Sequence, residues 1–433
     1  MNANTMNISR RGLIGSLGAL AGTALMPRMA FASAAAEARF PVVTRMVDGY
    51  VSSGKLPGMI ATLGQGIGTS ALDIARGTLA RGNPSPVDMD SLFRIYSMTK
   101  PVTGMAAMML VDDGKLRLDQ PLADLIPAFG KMQAQATPDG SITDLRPAKT
   151  QITIRHLLTH TAGLGYSIIQ QGPIKDAYIK AGVVPGQASR MALPGLEKFT
   201  PLKSLAEFAE VLATLPLVYE PGTTWSYSVG LDLMGRVIEI ASGMAFDQFL
   251  KTRLFDPLGM ASTGFRVPEA QAPRLTTNYA VAGGMLLPID PAKTSVYLDQ
   301  PAYPFGGAGL VSSPRDYDRF LAMVLGYGSF GGRQVMSEAA VRLGTSNLLP
   351  VGTDLSRSFI KGNGFGAGGS VGLGEDAGTY GWAGAAGTVG FVSFRAGLRA
   401  GLYTQYMPSE AYPVHREFAQ AVLADVTQKK AAA

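Results

Sequence analysis

The chain has 433 residues, 46% hydrophobic and 16% charged, enough for one large core or a core with a subdomain. It contains no cysteine, which excludes disulfides, thiolate metal sites and a cysteine nucleophile. Its formal charge of +6 falls to 6 − 3 = +3 once Arg10, Arg11 and Arg28 of the N-terminal segment are set aside, too small and dispersed a charge for a nucleic-acid-binding protein.

That segment reads as an export signal. Ser9-Arg10-Arg11-Gly12-Leu13-Ile14 is a twin-arginine start, an apolar stretch runs from Gly12 to Met26, and small residues follow at Ala30-Phe31-Ala32 and Ala32-Ser33-Ala34. The stretch is short and glycine-rich for a membrane span. Residues 1–34 are therefore expected to be removed, giving a periplasmic or secreted protein of residues 35–428 with no membrane span.

Phe40 to Val51 carries apolar residues at helical spacing. Gly58-Met59-Ile60-Ala61-Thr62-Leu63 reads as a strand, and Leu72, Ile74 and Thr78 mark a second one. At the far end, 386–396 and 401–407 read as strands and 413–426 as an amphipathic helix. Segments 155–159, 205–215, 231–241 and 246–254 carry helical spacing. The layout is α+β: an antiparallel sheet built from both chain ends (about 38–90 and 300–425), flanked by helices, with a mostly helical region inserted at about 110–290. Residues 166–202, with Gly172-Pro173, Pro185-Gly186 and Pro194-Gly195, form a long insertion that is a candidate pocket wall or a plain surface excursion.

The pattern Ser-x-x-Lys occurs three times. Ser52 and Lys55 run into Leu56-Pro57-Gly58, and Ser358 and Lys361 run into Gly362-Asn363-Gly364, so neither pair is carried by a helix. Ser97-Met98-Thr99-Lys100 alone leads into a helical pattern, through Met105, Met108 and Met109 to Gly114. On a helix the two side chains share one face. A hydroxyl beside an ammonium at a helix start, where free N–H groups favour an oxyanion, is one way to activate serine without histidine. Ser97 could equally be a helix cap. Such a site needs a proton shuttle. Tyr227, on the turn Glu220-Pro221-Gly222-Thr223-Thr224-Trp225-Ser226-Tyr227-Ser228, is the candidate, with a core tyrosine as its alternative.

Two other patterns are weaker. Gly368-Gly369-Ser370-Val371-Gly372 matches the hydrolase nucleophile elbow, but glycines crowd it and no good helix start follows; His415, the late histidine, falls in the terminal helix. His156 and His160 stand four apart without the glutamate of a zincin, so no metal site is expected, and both are assigned to backbone hydrogen bonds near a helix end.

Five blocks occur in order: Ser97-x-x-Lys100; Ile154 to Leu164, containing His160-Thr161-Ala162-Gly163; Pro221 to Ser228; Gly306-Gly307-Ala308-Gly309-Leu310 to Ser313, ahead of Asp316-Tyr317; and Gly381-Trp382-Ala383-Gly384-Ala385-Ala386-Gly387-Thr388. Over about 40–425 this order resembles the class C β-lactamase-related serine hydrolases, most of all the family VIII carboxylesterases. The resemblance implies a β-lactamase/transpeptidase-like fold, no cofactor, and Ser97 as acylated nucleophile with Lys100 and Tyr227 activating it. It implies an oxyanion hole from the backbone N–H groups of Ser97 and Ala385, with Trp382-Ala383-Gly384 in the place of the β-lactamases' Lys-Thr-Gly. Trp382, Gly384 and Val229 would contact the substrate. Trp382 replaces a lysine that helps hold the β-lactam carboxylate, and Val229 an asparagine that contacts its amide. Both changes favour a small uncharged ester over an anionic β-lactam. A β-lactamase, a D-amino-acid peptidase, an acyltransferase and a silent binding protein are the alternatives. The oligomeric state is left open.

Overall fold

A computed structural model describes residues 34–191, 202–360 and 362–432; the twin-arginine segment, Pro194-Gly195 and Lys361 lie outside them. Helix α1 (Pro41–Ser52) starts on a proline, which costs nothing where the N–H has no partner, and buries Val43, Val47 and Tyr50 along one face. Its free N–H groups at Val42 and Val43 are met from the other end of the chain, by the Asp425 carboxylate at 3.0–3.1 Å. Asp425 lies on the last helix of the chain, Val414–Ala432.

Seven antiparallel strands form the main sheet. These are β1 (Gly58–Gln65), β2 (Leu72–Gly77), β3 (Gly364–Phe365), β4 (Ser370–Val371), β5 (Thr379–Gly384), β6 (Thr388–Ser393) and β7 (Leu398–Tyr403), in spatial order β3-β4-β5-β6-β7-β1-β2. The two chain ends meet where β1 pairs with β7, Ile60 opposite Tyr403 and Gln65 opposite Leu398. Alternate residues of β1 serve two cores: Met59, Ala61 and Leu63 pack with the terminal helices, while Ile60 joins the large core on the other face. The last two strands of the main sheet lie at 388–393 and 398–403, against the expected 386–396 and 401–407, and a separate short strand covers Tyr406–Met407. Chain reversal at the left-handed Gly397 sets these bounds.

The large core centres on α2 (Thr99–Asp112), in which every residue from Thr99 to Leu110 is buried. A helix apolar on all sides belongs in the middle of a domain. Pro101 falls in its first turn, where a missing N–H donor breaks no intrahelical hydrogen bond. The helix Glu338–Gly344 packs against α2, and so does α5 (Gly230–Ser242); α3 (Gly172–Lys180) adds Ile174 and Tyr178 to the same core, α4 (Leu205–Leu212) packs on α5, and α6 (Pro314–Leu325) lies against the sheet. The expected helix over 246–254 is present, with α geometry over Phe246–Leu250 passing into a wider π turn over Lys251–Phe255. The inserted region also contains a hairpin, Asn278–Ala282 with Met285–Asp290, joined in parallel by Tyr406–Met407. Among the described residues no helix is long and apolar enough to cross a membrane.

The hairpin anchors the strand ahead of Ser97. Arg94 is wholly buried; its Nε donates to Asp290 Oδ2 at 2.6 Å, and its Nη atoms to the Thr276 carbonyl, Gln405 and Ser295. Removing one partner of a buried ion pair strands the other charge away from water. Asp290→Ala is expected to cost about 3–5 kcal/mol, read as a lowered midpoint in thermal and urea unfolding.

Candidate active site

Ser97 sits in a 3-10 turn, Tyr96–Met98, that feeds directly into α2, and neither end of that turn is capped by a side chain. Ser97 is therefore not a helix cap. Its hydroxyl accepts from Lys100 Nζ at 3.2 Å. Tyr96, immediately before it, holds a left-handed backbone (φ 40°), rare for a bulky residue and a strained arrangement that its surroundings must enforce. Asn278 donates to its hydroxyl at 3.2 Å and Tyr297 packs edge-on to its ring.

Lys100 is fully buried. Besides Ser97 it donates to the Gly307 carbonyl at 2.8 Å, and its Nζ lies 4.4 Å from the ring centroid of Tyr227 and 5.7 Å from that of Tyr166. The ammonium thus meets Tyr227 over its face. The Tyr227 oxygen takes a different donor, Trp382 Nε1 at 3.1 Å. That bond is invisible in the sequence, where Trp382 reads only as apolar surface.

Tyr227 is held by His160. The His160 carbonyl accepts from Ser226 N at 3.0 Å, its Nδ1 accepts from Ser228 N at 3.2 Å, and its ring lies 4.6 Å from that of Tyr227. Like Tyr96, His160 is left-handed (φ 57°). Burial, aided by Lys100, holds its imidazole well below its ordinary pKa, hence neutral. Of the two histidines assigned to backbone bonds, His156 fits: its Nδ1 accepts from Thr153 N in a capping box, and burial lowers it to about 4. His160 fits too, its Nδ1 taking the backbone N–H of Ser228, and with its own carbonyl on Ser226 N it grips both neighbours of the tyrosine.

Asp232 was not among the sequence candidates. It is wholly buried on α5, between Leu231 and Leu233, and its Oδ1 accepts from Gly307 N at 2.8 Å. A single residue therefore faces both charges, Gly307 N–H to Asp232 and Gly307 C=O to Lys100. A Cβ on residue 307 would come within 2.6 Å of the carboxylate, so glycine is required. Burial pushes the Asp232 carboxyl up to about 6, against the opposing pull of Lys100 and the Gly307 N–H. The available signal was a lone acid on the apolar face of a helix.

Ser97 and Tyr227 open into a cleft of about 720 Å³ that is also lined by Ala385, Gly384 and Trp382. Ala385 directly follows β5, and a Cβ at Gly384 would overlap the Ile95 carbonyl and the Thr388 hydroxyl, so the strand end packs tightly against the turn carrying Ser97. Ile168 and Ile169, from the 166–202 insertion, and Phe359 form an exposed apolar rim. Val229 is a correction: it is wholly buried, its N–H on the Gly165 carbonyl, and cannot touch substrate; it packs beneath the tyrosine turn. Ser370 lies in β4 opposite Gly381 and is followed by a short 3-10 turn, not by the helix an elbow requires. Ser358 bonds the Leu355 carbonyl, and Lys55 lies over the rings of Tyr50 and Tyr412.

This fold and this site define a serine hydrolase of the β-lactamase type, and residues 43–425 match the Beta-lactamase family model; the chain belongs to that family. Among its relatives, esterase EstB of Burkholderia gladioli is 30% identical over 354 residues, 76% of this chain and 81% of the esterase. Protein Rv1367c of Mycobacterium tuberculosis (strain ATCC 25618 / H37Rv) is 35% identical over 324 residues, 70% of this chain and 74% of that protein. The solved structure of EstCE1, described as a hydrolase with promiscuous acyltransferase activity, superposes with a TM-score of 0.71 at 26% identity, covering 90% of this chain and all of that one.

The Asp232 carboxyl, raised from 3.8 to about 6, contributes stability that is whole below the unfolded value and lost as pH rises through about 6. Asp232→Asn keeps the shape and removes the buried charge. It is expected to gain about 3 kcal/mol on the wild type at pH 8 and almost nothing at pH 4, since each tenfold change in proton affinity is worth about 1.4 kcal/mol, measured by urea unfolding at the two pH values.

Proposed function

We propose that the chain is an exported serine hydrolase that cleaves uncharged carboxylic esters of short acyl chains through an acyl-enzyme at Ser97, with no cofactor. The observation that carries this reading is the hydrogen bond from the buried Lys100 ammonium to the Ser97 hydroxyl, in a cleft shared with Tyr227 and Ala385. In the proposed cycle the Lys100–Tyr227 pair starts one proton short, as a Tyr227 phenolate beside the Lys100 ammonium, and takes the proton of Ser97 Oγ as that oxygen attacks the ester carbonyl. The tetrahedral oxyanion is received by the backbone N–H groups of Ser97 and Ala385, each such donor being worth about 3 kcal/mol. Collapse breaks the bond to the alcohol, which leaves with the proton passed on by Tyr227. Water, deprotonated by the same pair, then attacks the acyl-serine and releases the acid.

Support for an ester over a β-lactam comes from Trp382. Its indole occupies the strand position where a β-lactamase has lysine, and it is spent on Tyr227. The ester chemistry of EstB fits this reading. Acyl transfer to an alcohol is the second reading, favoured by the apolar rim of Ile168, Ile169 and Phe359, which would exclude water, and by the description of EstCE1. A β-lactamase or D-amino-acid peptidase activity and a silent binding role are the remaining alternatives.

On 4-nitrophenyl acetate and butyrate, Ser97→Ala is expected to abolish turnover, and Lys100→Met and Tyr227→Phe to lower kcat by about 10²- to 10⁴-fold. A chromogenic cephalosporin should be hydrolysed far more slowly. Ester turnover surviving Ser97→Ala would remove the mechanism, and fast cephalosporin hydrolysis without ester turnover would reverse the substrate. For export, replacing Arg10 and Arg11 by lysine should hold the precursor inside the cell, detected by fractionation; unchanged export would count against a twin-arginine signal.

A further inference from the structure

We infer that Glu410 gives the cleft a charge preference, so that esters bearing a positive charge are taken over esters bearing a negative one. The inference rests on the serine hydrolase reading above and adds to it a substrate class and the residue that selects it. The cleft has two unlike walls. One is apolar and aromatic, with Ile168, Ile169, Phe359 and Trp382. The other runs through Met407 to Glu410 and ends on His415. Among the described residues lining it, Glu410 is the one carboxylate, and neither lysine nor arginine occurs.

Neither Lys100 nor Lys55 offsets it. Lys100 is buried beneath the floor, covered by the Tyr227 ring, with Nζ engaged by Ser97 and Gly307. Lys55 is stacked over Tyr50 and Tyr412, neither of which lines the cleft. His415 is the one lining side chain that could become cationic near neutral pH. Burial lowers its pKa in spite of the pull of Glu410, so it stays neutral at pH 7. A substrate carboxylate entering here meets a like charge and no partner, whereas an ammonium finds one. Apolar walls sharpen the field of a single charge, although an exposed glutamate is screened over roughly 10 Å at 0.1 M salt.

The test uses the mature chain and matched charged esters. One pair places the charge on the alcohol side: acetylthiocholine and S-acetylthioglycolate. The other places it on the acyl side: the 4-nitrophenyl esters of 4-(trimethylammonio)butyrate and of glutarate. Each kcat/KM is normalised to the same variant's value for neutral 4-nitrophenyl butyrate. In at least one pair the wild type should favour the cation, more strongly at low salt than at high. Glu410→Gln should lower that ratio by about 3- to 10-fold, and Glu410→Lys should invert it. Ratios in both pairs that are indifferent to both substitutions would overturn the inference while leaving the hydrolase intact. Failure of the hydrolase reading is separately visible, as absence of Ser97-dependent turnover of the neutral ester, and would overturn both.

Discussion

The constraint on which the rest of the structure depends is the burial of one ammonium group. Lys100 Nζ is removed from water at the start of the central helix, and an unpaired charge there would be prohibitive. Its partners come from four parts of the chain: the Ser97 hydroxyl, the Gly307 carbonyl, the ring faces of Tyr227 and Tyr166, and, through the other side of Gly307, the Asp232 carboxylate. Satisfying the lysine therefore fixes the positions of α2, α5, the glycine-rich 306–310 loop and the tyrosine turn at once. The same requirement explains why a helix buried from Thr99 to Leu110 carries a lysine in its first turn, and why Gly307 has no room for a side chain.

Around this charge the two halves of the molecule do different work. The sheet is closed by the pairing of β1 with β7, and the end of β5 is pressed against the turn that carries Ser97. The helical region supplies Tyr227 on a turn that has little regular structure of its own. Its position is set by His160, whose carbonyl and ring nitrogen take the N–H groups of Ser226 and Ser228. Trp382 crosses from the sheet to the phenolic oxygen and joins the halves. Two non-glycine residues with left-handed backbones, Tyr96 and His160, sit at these junctions, where strain is tolerated because surrounding contacts over-determine the geometry.

Selectivity in such a cleft is largely a matter of what is withheld. The Ser97–Lys100 pair by itself carries no preference for charge, whereas among the described residues the walls offer aromatic and aliphatic surface and a single carboxylate. Discrimination against a charged substrate arises most cheaply from leaving its charge unpaired. The insertion at 166–202 lines the cleft with Ile168 and Ile169, as a rim, and sets Tyr166 against Lys100 and Tyr227.

What the sequence by itself determined was whatever depends on short spacing and periodicity. Ser97 and Lys100 are three apart on a helix, so their contact follows from helical geometry alone. The strands and helix at each chain end carry alternating or 3.6-residue patterns, which is why a sheet built from both ends was legible. The order of five motif blocks pointed to the family. Tertiary structure decided everything that joins distant segments through one atom. Asp232 reads as an ordinary acid in a helix until Gly307 is brought against it, and His160 as a helix-end histidine until the turn at 226–228 folds over it. Trp382 reads as bulk until its indole N–H meets Tyr227. Val229 reads as a substrate contact until burial removes it from the cleft. Periodicity reports which face of an element is apolar; it carries no information about which polar atom will be opposite a given lysine or tyrosine, because that is set by the packing of the whole core.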